Sequence, residues 1–392
     1  MELFVLDSIP FHMLLHHPKQ FFSRLLKRLI LAGVGLFYGL LQVVVMAVTF
    51  LKRPSHFLSP PSSYAHLPPP SVPGMHHVMV EVEPEIYIET VRTFKGAHPT
   101  KPLMVFVHGF PEFWFSWRHQ IAAFRSQYDI VAVSMRGYGL SSKPKGKQNY
   151  SLSKLSRDIA QVTRSVLAGA ESTTTTTNGK QPHDNKNIHK AILIGHDWGG
   201  AVCWATAHRA PHLYSHVVIA CAPHPNCAIK NMDFNQFLRS WYMFFFQLPW
   251  LPNIAVKQNN YETFDIAFLR APMGVRRQGA ISQDELSLYK KEFSRPGVVE
   301  AALNYYRSAV DRAAWGDWED EELRGGLRKR LPMPTLCVWA DKDTALGPQL
   351  TRGMEEWFEG KFVLKMMEDC SHWVQQDRPE EFNAVVKEFL ES

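Results

Sequence analysis

The sequence predicts an α/β fold in which a mostly parallel sheet carries the chemistry, a mainly helical segment is inserted into it, and an N-terminal helix crosses a membrane. Three patterns point there. Short apolar runs rich in β-branched residues recur at 103–107, 130–133, 191–194, 217–221, 335–339 and 362–366, separated by helical stretches. Strands that are apolar on both faces belong in a parallel sheet covered by helices on both sides. Between roughly Pro223 and Leu331 that pattern stops, and aromatic, helical segments replace it. Residues 29–51 form a run of 23 without one formal charge.

The elements follow in chain order. Residues 1–28 are a basic segment carrying Lys19, Arg24, Lys27 and Arg28. The apolar run after it, broken only by mildly polar Tyr38, Gln42 and Thr49, would span about 34 Å as a helix, enough for a bilayer core of about 30 Å. Lys52, Arg53 and Pro54 follow directly, without the small-residue cleavage site of a secretory signal. A buried core helix does not need 23 such residues with basic flanks at both ends. The run is expected to be a single-pass anchor, with the heavier basic flank favouring a cytoplasmic N-terminus. The sequon Asn149-Tyr150-Ser151 would report that topology if glycosylated. Residues 52–75 are rich in Pro and Ser and are expected to form an extended tether.

From residue 78 the sequence VMVEVEPEIYIETV alternates, as one or two half-buried strands do. Residues 171–187, with five consecutive threonines, cannot build a core and are expected to form a surface loop. The catalytic unit is therefore expected to divide into a first core part at 76–222, a helical cap at 223–331 and a second core part at 332–392.

Composition excludes other classes. With 392 residues, 45% hydrophobic and 20% charged, the chain has room for one sizeable core. The net charge is +6, but residues 1–53 supply +4 of it, leaving only +2 for the folded body. A nucleic-acid binder would concentrate positive charge there. The five cysteines, Cys203, Cys221, Cys227, Cys337 and Cys370, are widely spaced in mostly apolar surroundings and read as buried free thiols rather than disulfides or zinc ligands. No metal-ligand cluster or dinucleotide glycine fingerprint appears, so neither a metal nor an organic cofactor is implied.

The most informative segment is AILIGHDWGG, in which a strand runs into Gly195-His196-Asp197-Trp198-Gly199-Gly200. Small residues two before and two after a central residue suit a sharp strand-to-helix turn that lifts the central side chain into an active site. Serine hydrolases place Ser at that centre; here it is Asp197, and no G-x-S-x-G occurs elsewhere. An Asp at this position is also a common helix cap. Upstream, VFVHGFPEFWFSW puts His108-Gly109-Phe110-Pro111 just after another strand.

HGFPE, MRGYGLSSKP, GHDWGG, SRPG followed by NYYR, and a terminal SHW occur in that order over roughly residues 78–390. On these motifs the chain resembles the epoxide hydrolases of the α/β-hydrolase superfamily, and their membrane-anchored members in particular. The resemblance implies an α/β-hydrolase fold, a lipophilic epoxide substrate opened to a vicinal diol, and an endoplasmic-reticulum membrane location. It makes Asp197 the nucleophile, and the family order of nucleophile, acid and base assigns Asp343 in CVWADKDTAL and His372 in MEDCSHW. Asp341 is a rival for the acid. The family's oxyanion hole falls on the amides of Phe110 and Trp198.

WYMFFFQLP and AALNYYRS place the two cap acids at Tyr242 and Tyr306, with Tyr305 able to exchange with Tyr306 under a shifted register. Trp241, Phe245, Phe246 and Trp373 are expected to line the substrate tunnel, and His108 and His196 to be structural. A dehalogenase shares the Asp, His and acid but stabilises a leaving halide. A membrane-bound, lipid-binding relative without catalysis is a third reading.

Overall fold

The computed structural model describes residues 18–52, 54, 64, 66–96, 98–171, 190–315 and 321–392. The first 17 residues of the basic segment, residues 53, 55–63 and 65 of the Pro-rich tether, and the threonine run lie outside them.

Eight strands form one sheet among the described residues: β1 (His76–Glu83), β2 (Ile86–Arg92), β3 (Leu103–Val107), β4 (Asp129–Ser134), β5 (Ala191–His196), β6 (Tyr214–Ala220), β7 (Thr335–Ala340) and β8 (Phe362–Met367). Their order is β1-β2-β4-β3-β5-β6-β7-β8. The β1–β2 and β2–β4 pairs are antiparallel, and every other pair is parallel. The alternating segment at 78–91 resolves into the β1–β2 hairpin, whose outer strand buries only Val80 fully. The continuous apolar runs become β3, β4, β5 and β7, buried along their whole length. This is the difference between a sheet edge with one wet face and a centre covered on both.

A parallel sheet delivers all its C-terminal strand ends to one edge, where ligands of open α/β sheets bind. Here β3 leads into His108, β5 into Asp197, β7 toward Asp343 and β8 toward His372. The segment between β6 and β7 is helical, beginning with Pro225–Lys230 and including Trp241–Phe245, Leu251–Phe268, Gln283–Ser294 and Val298–Trp315.

The N-terminal helix is Pro18–Lys52. It starts eleven residues before the apolar run because Lys19 to Arg28 are mostly good helix formers with no Pro or Gly to stop them. Its Ala32–Lys52 part is long and apolar enough to cross a membrane, and little of it is buried in the protein. All five cysteines are buried and unpaired.

Candidate active site

Asp197 sits between β5 and the helix Trp198–Arg209 with φ 51° and ψ −121°, a conformation that a residue with a side chain holds only when its surroundings impose it. The next turn must pass very close to β3: a Cβ on Gly199 would overlap the carbonyl oxygens of Val107 and His108. Although Asp197 occupies the cap position of that helix, its side chain makes no capping bond. Its Oδ1 instead accepts the Phe110 N–H at 2.8 Å, and its Oδ2 lies 3.4 Å from His372 Nε2.

His372 Nδ1 stands 2.6 Å from Asp343 Oδ2. Asp343 is fixed in turn by the Ala345 and Leu346 amides, which both donate to its Oδ1 at 2.8 Å. Asp341 pairs with Lys342 and accepts from the Cys370 amide, near the surface. Its partners keep it apart from the histidine.

Burial alone would raise the Asp197 pKa, but the hydrogen bond and charge of His372, with the Phe110 amide, outweigh it and hold the carboxyl below its usual range. For His372 burial works downward, yet the carboxylates of Asp343 and Asp197 hold its pKa well above the ordinary histidine value. His372 thus lies between two carboxylates, both of which favour its protonated form.

Above this array lies a cavity of about 510 Å³. Asp197, His372 and Phe110 form its floor, and Tyr242 and Tyr306 face them from the helical segment. The two phenol rings are 5.8 Å apart and nearly perpendicular. Burial first, and then the charge of Asp197, pushes both phenols up, so each keeps its proton at neutral pH. Tyr305 is turned away: its hydroxyl donates to the Arg136 carbonyl at 2.6 Å. Trp241, Phe245, Phe246 and Trp373 all line the cavity. Asp343 stands behind His372, outside the cavity wall, and the Trp198 ring packs edge-on to Tyr306 at 5.1 Å.

Two sets of residues went unassigned in the sequence. Glu112, the acid of HGFPE, is fully buried and accepts from the Gly109 amide, His196 Nδ1, Gln375 and Gln376. His196 Nε2 reaches on to the His372 carbonyl at 2.9 Å. Glu112 thus ties the β3 loop, the β5 end and the His372 loop to one charge. Its motif position was the only available signal. Gln42, Val45 and Thr49 of the N-terminal helix also line the cavity.

His108 accepts the Met135 N–H on Nε2 and bonds its own loop through Nδ1. Burial lowers its pKa to about 4. Cys221, Asp343 and His372 have donor atoms within 4.8 Å of one another. Burial pushes the Cys221 thiol up to about 11, however, and both imidazole nitrogens already face carboxylates. This donor set suits a hydrogen-bonded relay better than a metal.

Residues 104–385 match the model of the alpha/beta hydrolase family. Human epoxide hydrolase 4 is 31% identical over 293 residues, covering 74% of this chain and 72% of that protein. Epoxide hydrolase 1 of Caenorhabditis elegans is 33% identical over 294 residues, covering 74% of this chain and 65% of that one. The crystal structure of a Bacillus megaterium epoxide hydrolase in complex with an inhibitor superposes with a TM-score of 0.64 at 26% identity, covering 80% of this chain and all of the other. With its strained aspartate, buried histidine pair and eight-stranded sheet, the chain belongs to the α/β-hydrolase family, among its epoxide hydrolases.

Proposed function

We propose that the protein hydrolyses lipophilic epoxides to vicinal diols through a covalent ester on Asp197. The observation that carries this reading is the divided environment of one carboxylate. Oδ1 is held by an amide, Oδ2 faces the histidine, and two protonated phenols stand across the cavity. The names of the relatives support the substrate class.

In the first step Oδ2 attacks a ring carbon and forms an ester bond while the carbon–oxygen bond of the ring breaks. Tyr242 and Tyr306 hold the ring oxygen by hydrogen bonds, and one of them transfers its proton to the nascent alkoxide. Ester formation removes the negative charge that faced His372 Nε2. One cause of the raised histidine pKa disappears, the imidazolium gives its extra proton to the tyrosinate, and the neutral imidazole left behind can act as a base. His372, oriented by Asp343, then takes a proton from water, whose hydroxide adds to the ester carbonyl of Asp197. The oxyanion forms on Oδ1, beside the Phe110 amide and next to the amide of Trp198. Collapse regenerates the carboxylate and releases the diol, the hydroxyl proton of the intermediate passing to the departing alkoxide while His372 keeps the proton it took from water.

The substrate-facing aromatics are Trp241, Phe245, Phe246 and Trp373, an apolar lining that suits lipophilic groups. The Ala32–Lys52 stretch supports anchoring of the protein in a membrane. Its basic flanks favour a cytoplasmic N-terminus, with the endoplasmic reticulum as the expected site.

Assaying diol formation from a panel of aliphatic and aromatic epoxides, alongside halide release from matched haloalkanes, tests the activity. Diol without halide is expected. Halide release without diol would favour the dehalogenase reading, and tight lipid binding with neither product would favour a non-catalytic one.

A further inference from the structure

The N-terminal helix does more than lead into the catalytic unit. Its inward face is marked by Gly35, Tyr38, Gly39, Gln42 and Thr49: Gly35–Tyr38 and Gly39–Gln42 are three apart, Gly35–Gly39 and Tyr38–Gln42 four, and Gln42–Thr49 seven, so they form one stripe. Gly35 and Gly39 are buried. A Cβ on Gly35 would stand 3.0 Å from the Phe244 carbonyl oxygen, and one on Gly39 would overlap the Leu248 side chain. Tyr38 packs on Trp241 with ring centroids 6.0 Å apart. Beyond this contact, Gln42, Val45 and Thr49 line the same cavity that ends at Asp197 and His372. The mildly polar residues that interrupt the apolar run are thus those turned toward the protein.

The opposite face is exposed and apolar, with Leu36, Phe37, Leu40, Val44 and Val48. The neighbouring rim of the helical segment continues that surface with exposed Phe234, Leu238, Trp250 and Ile254. The ring contacts from Phe244 through Phe237 to Phe234 connect it to the helix. Exposed apolar area of this extent on both elements marks a surface that meets lipid.

We infer that the N-terminal helix is one wall of the substrate entrance, and that the hydrocarbon tail of a bilayer-dissolved epoxide enters the cavity from the lipid between Val45 and the rim of the helical segment. This rests on the membrane and hydrolase readings given above. A long-chain epoxide then passes from lipid to an apolar cavity without crossing water. Gln42, Val45 and Thr49 select for tail length and shape, while the carboxylate and phenols select the reactive ring.

The test uses the full chain in phosphatidylcholine vesicles with a nitroxide attached at Val45→Cys, the native thiols being buried, and a second sample labelled at Leu36→Cys on the outer face. Saturating 1,2-epoxyoctadecane is expected to immobilise the nitroxide at position 45 and leave position 36 unchanged. An unchanged spectrum at position 45, or equal changes at both, overturns the inference whether or not diol accumulates. A response at position 45 with no diol supports the entrance and counts against the hydrolase reading instead. In unlabelled protein, Val45→Trp should lower the ratio of kcat/KM for the long-chain epoxide over styrene oxide about tenfold. Leu36→Trp should leave that ratio unchanged, and an equal ratio in both variants also contradicts the inference.

Discussion

Below the cavity, Asp197, Asp343 and His372 hang from the ends of β5, β7 and β8 and are tied down by backbone amides and by one another. Above it, Tyr242 and Tyr306 ride on helices and are held by ring packing, Tyr306 against Phe110, Trp198, Phe246 and Tyr242. The floor needs charges fixed in place, and a sheet edge with buried amide donors supplies fixed positions. The roof needs phenols aimed into an apolar space whose shape sets what fits, and packed aromatics supply that. On the proposed mechanism, reaction type is written into the strand ends, and substrate choice into the helices.

The sharpest way to break this division is to remove the floor's proposed nucleophile. Asp197→Ala should reduce diol formation by about four orders of magnitude or more, since nothing else can form the ester. Residual turnover near the native rate would relocate the chemistry. Glu112 tests whether the floor is one electrostatic unit. Glu112→Gln leaves shape intact but sets an amide against the surrounding donors, and should cost ~3 kcal/mol or more of stability, read as a lower unfolding midpoint. An unchanged midpoint would mean that the loops hold themselves.

The roof should yield smaller effects. Tyr242→Phe and Tyr306→Phe should each lower kcat by about tenfold to a hundredfold, the scale of one lost proton donor. Tyr305→Phe should leave kcat in place and cost about 1 kcal/mol of stability through its lost bond to the Arg136 carbonyl. A Tyr305→Phe defect in kcat matching that of Tyr306→Phe would erase the distinction between the two neighbours.

The same division explains what the sequence reveals. Strand runs and the GHDWGG turn are local patterns: β3 starts and ends where its apolar run does, and the strain at Asp197 is paired with glycines visible in the chain. The choice between Asp341 and Asp343 is also positional, because only the latter lies within reach of His372. The roof is different. Whether Tyr305 or Tyr306 faces Asp197 depends on the rotation of the helix Val298–Trp315, which is set by packing against Arg136 and Phe110 far away in sequence. Glu112 looks like a loop acid until four donors converge on it. Gln42 and Thr49 look like minor blemishes in an apolar span until the helix meets the cavity.

The most direct measurement is intact-protein and peptide mass spectrometry of His372→Gln after exposure to a reactive epoxide. Without its base the floor should stop halfway, leaving the protein heavier by the mass of one substrate and the added mass on the peptide containing Asp197. An unmodified protein across a panel of reactive epoxides, or an adduct on any other residue, would contradict the account.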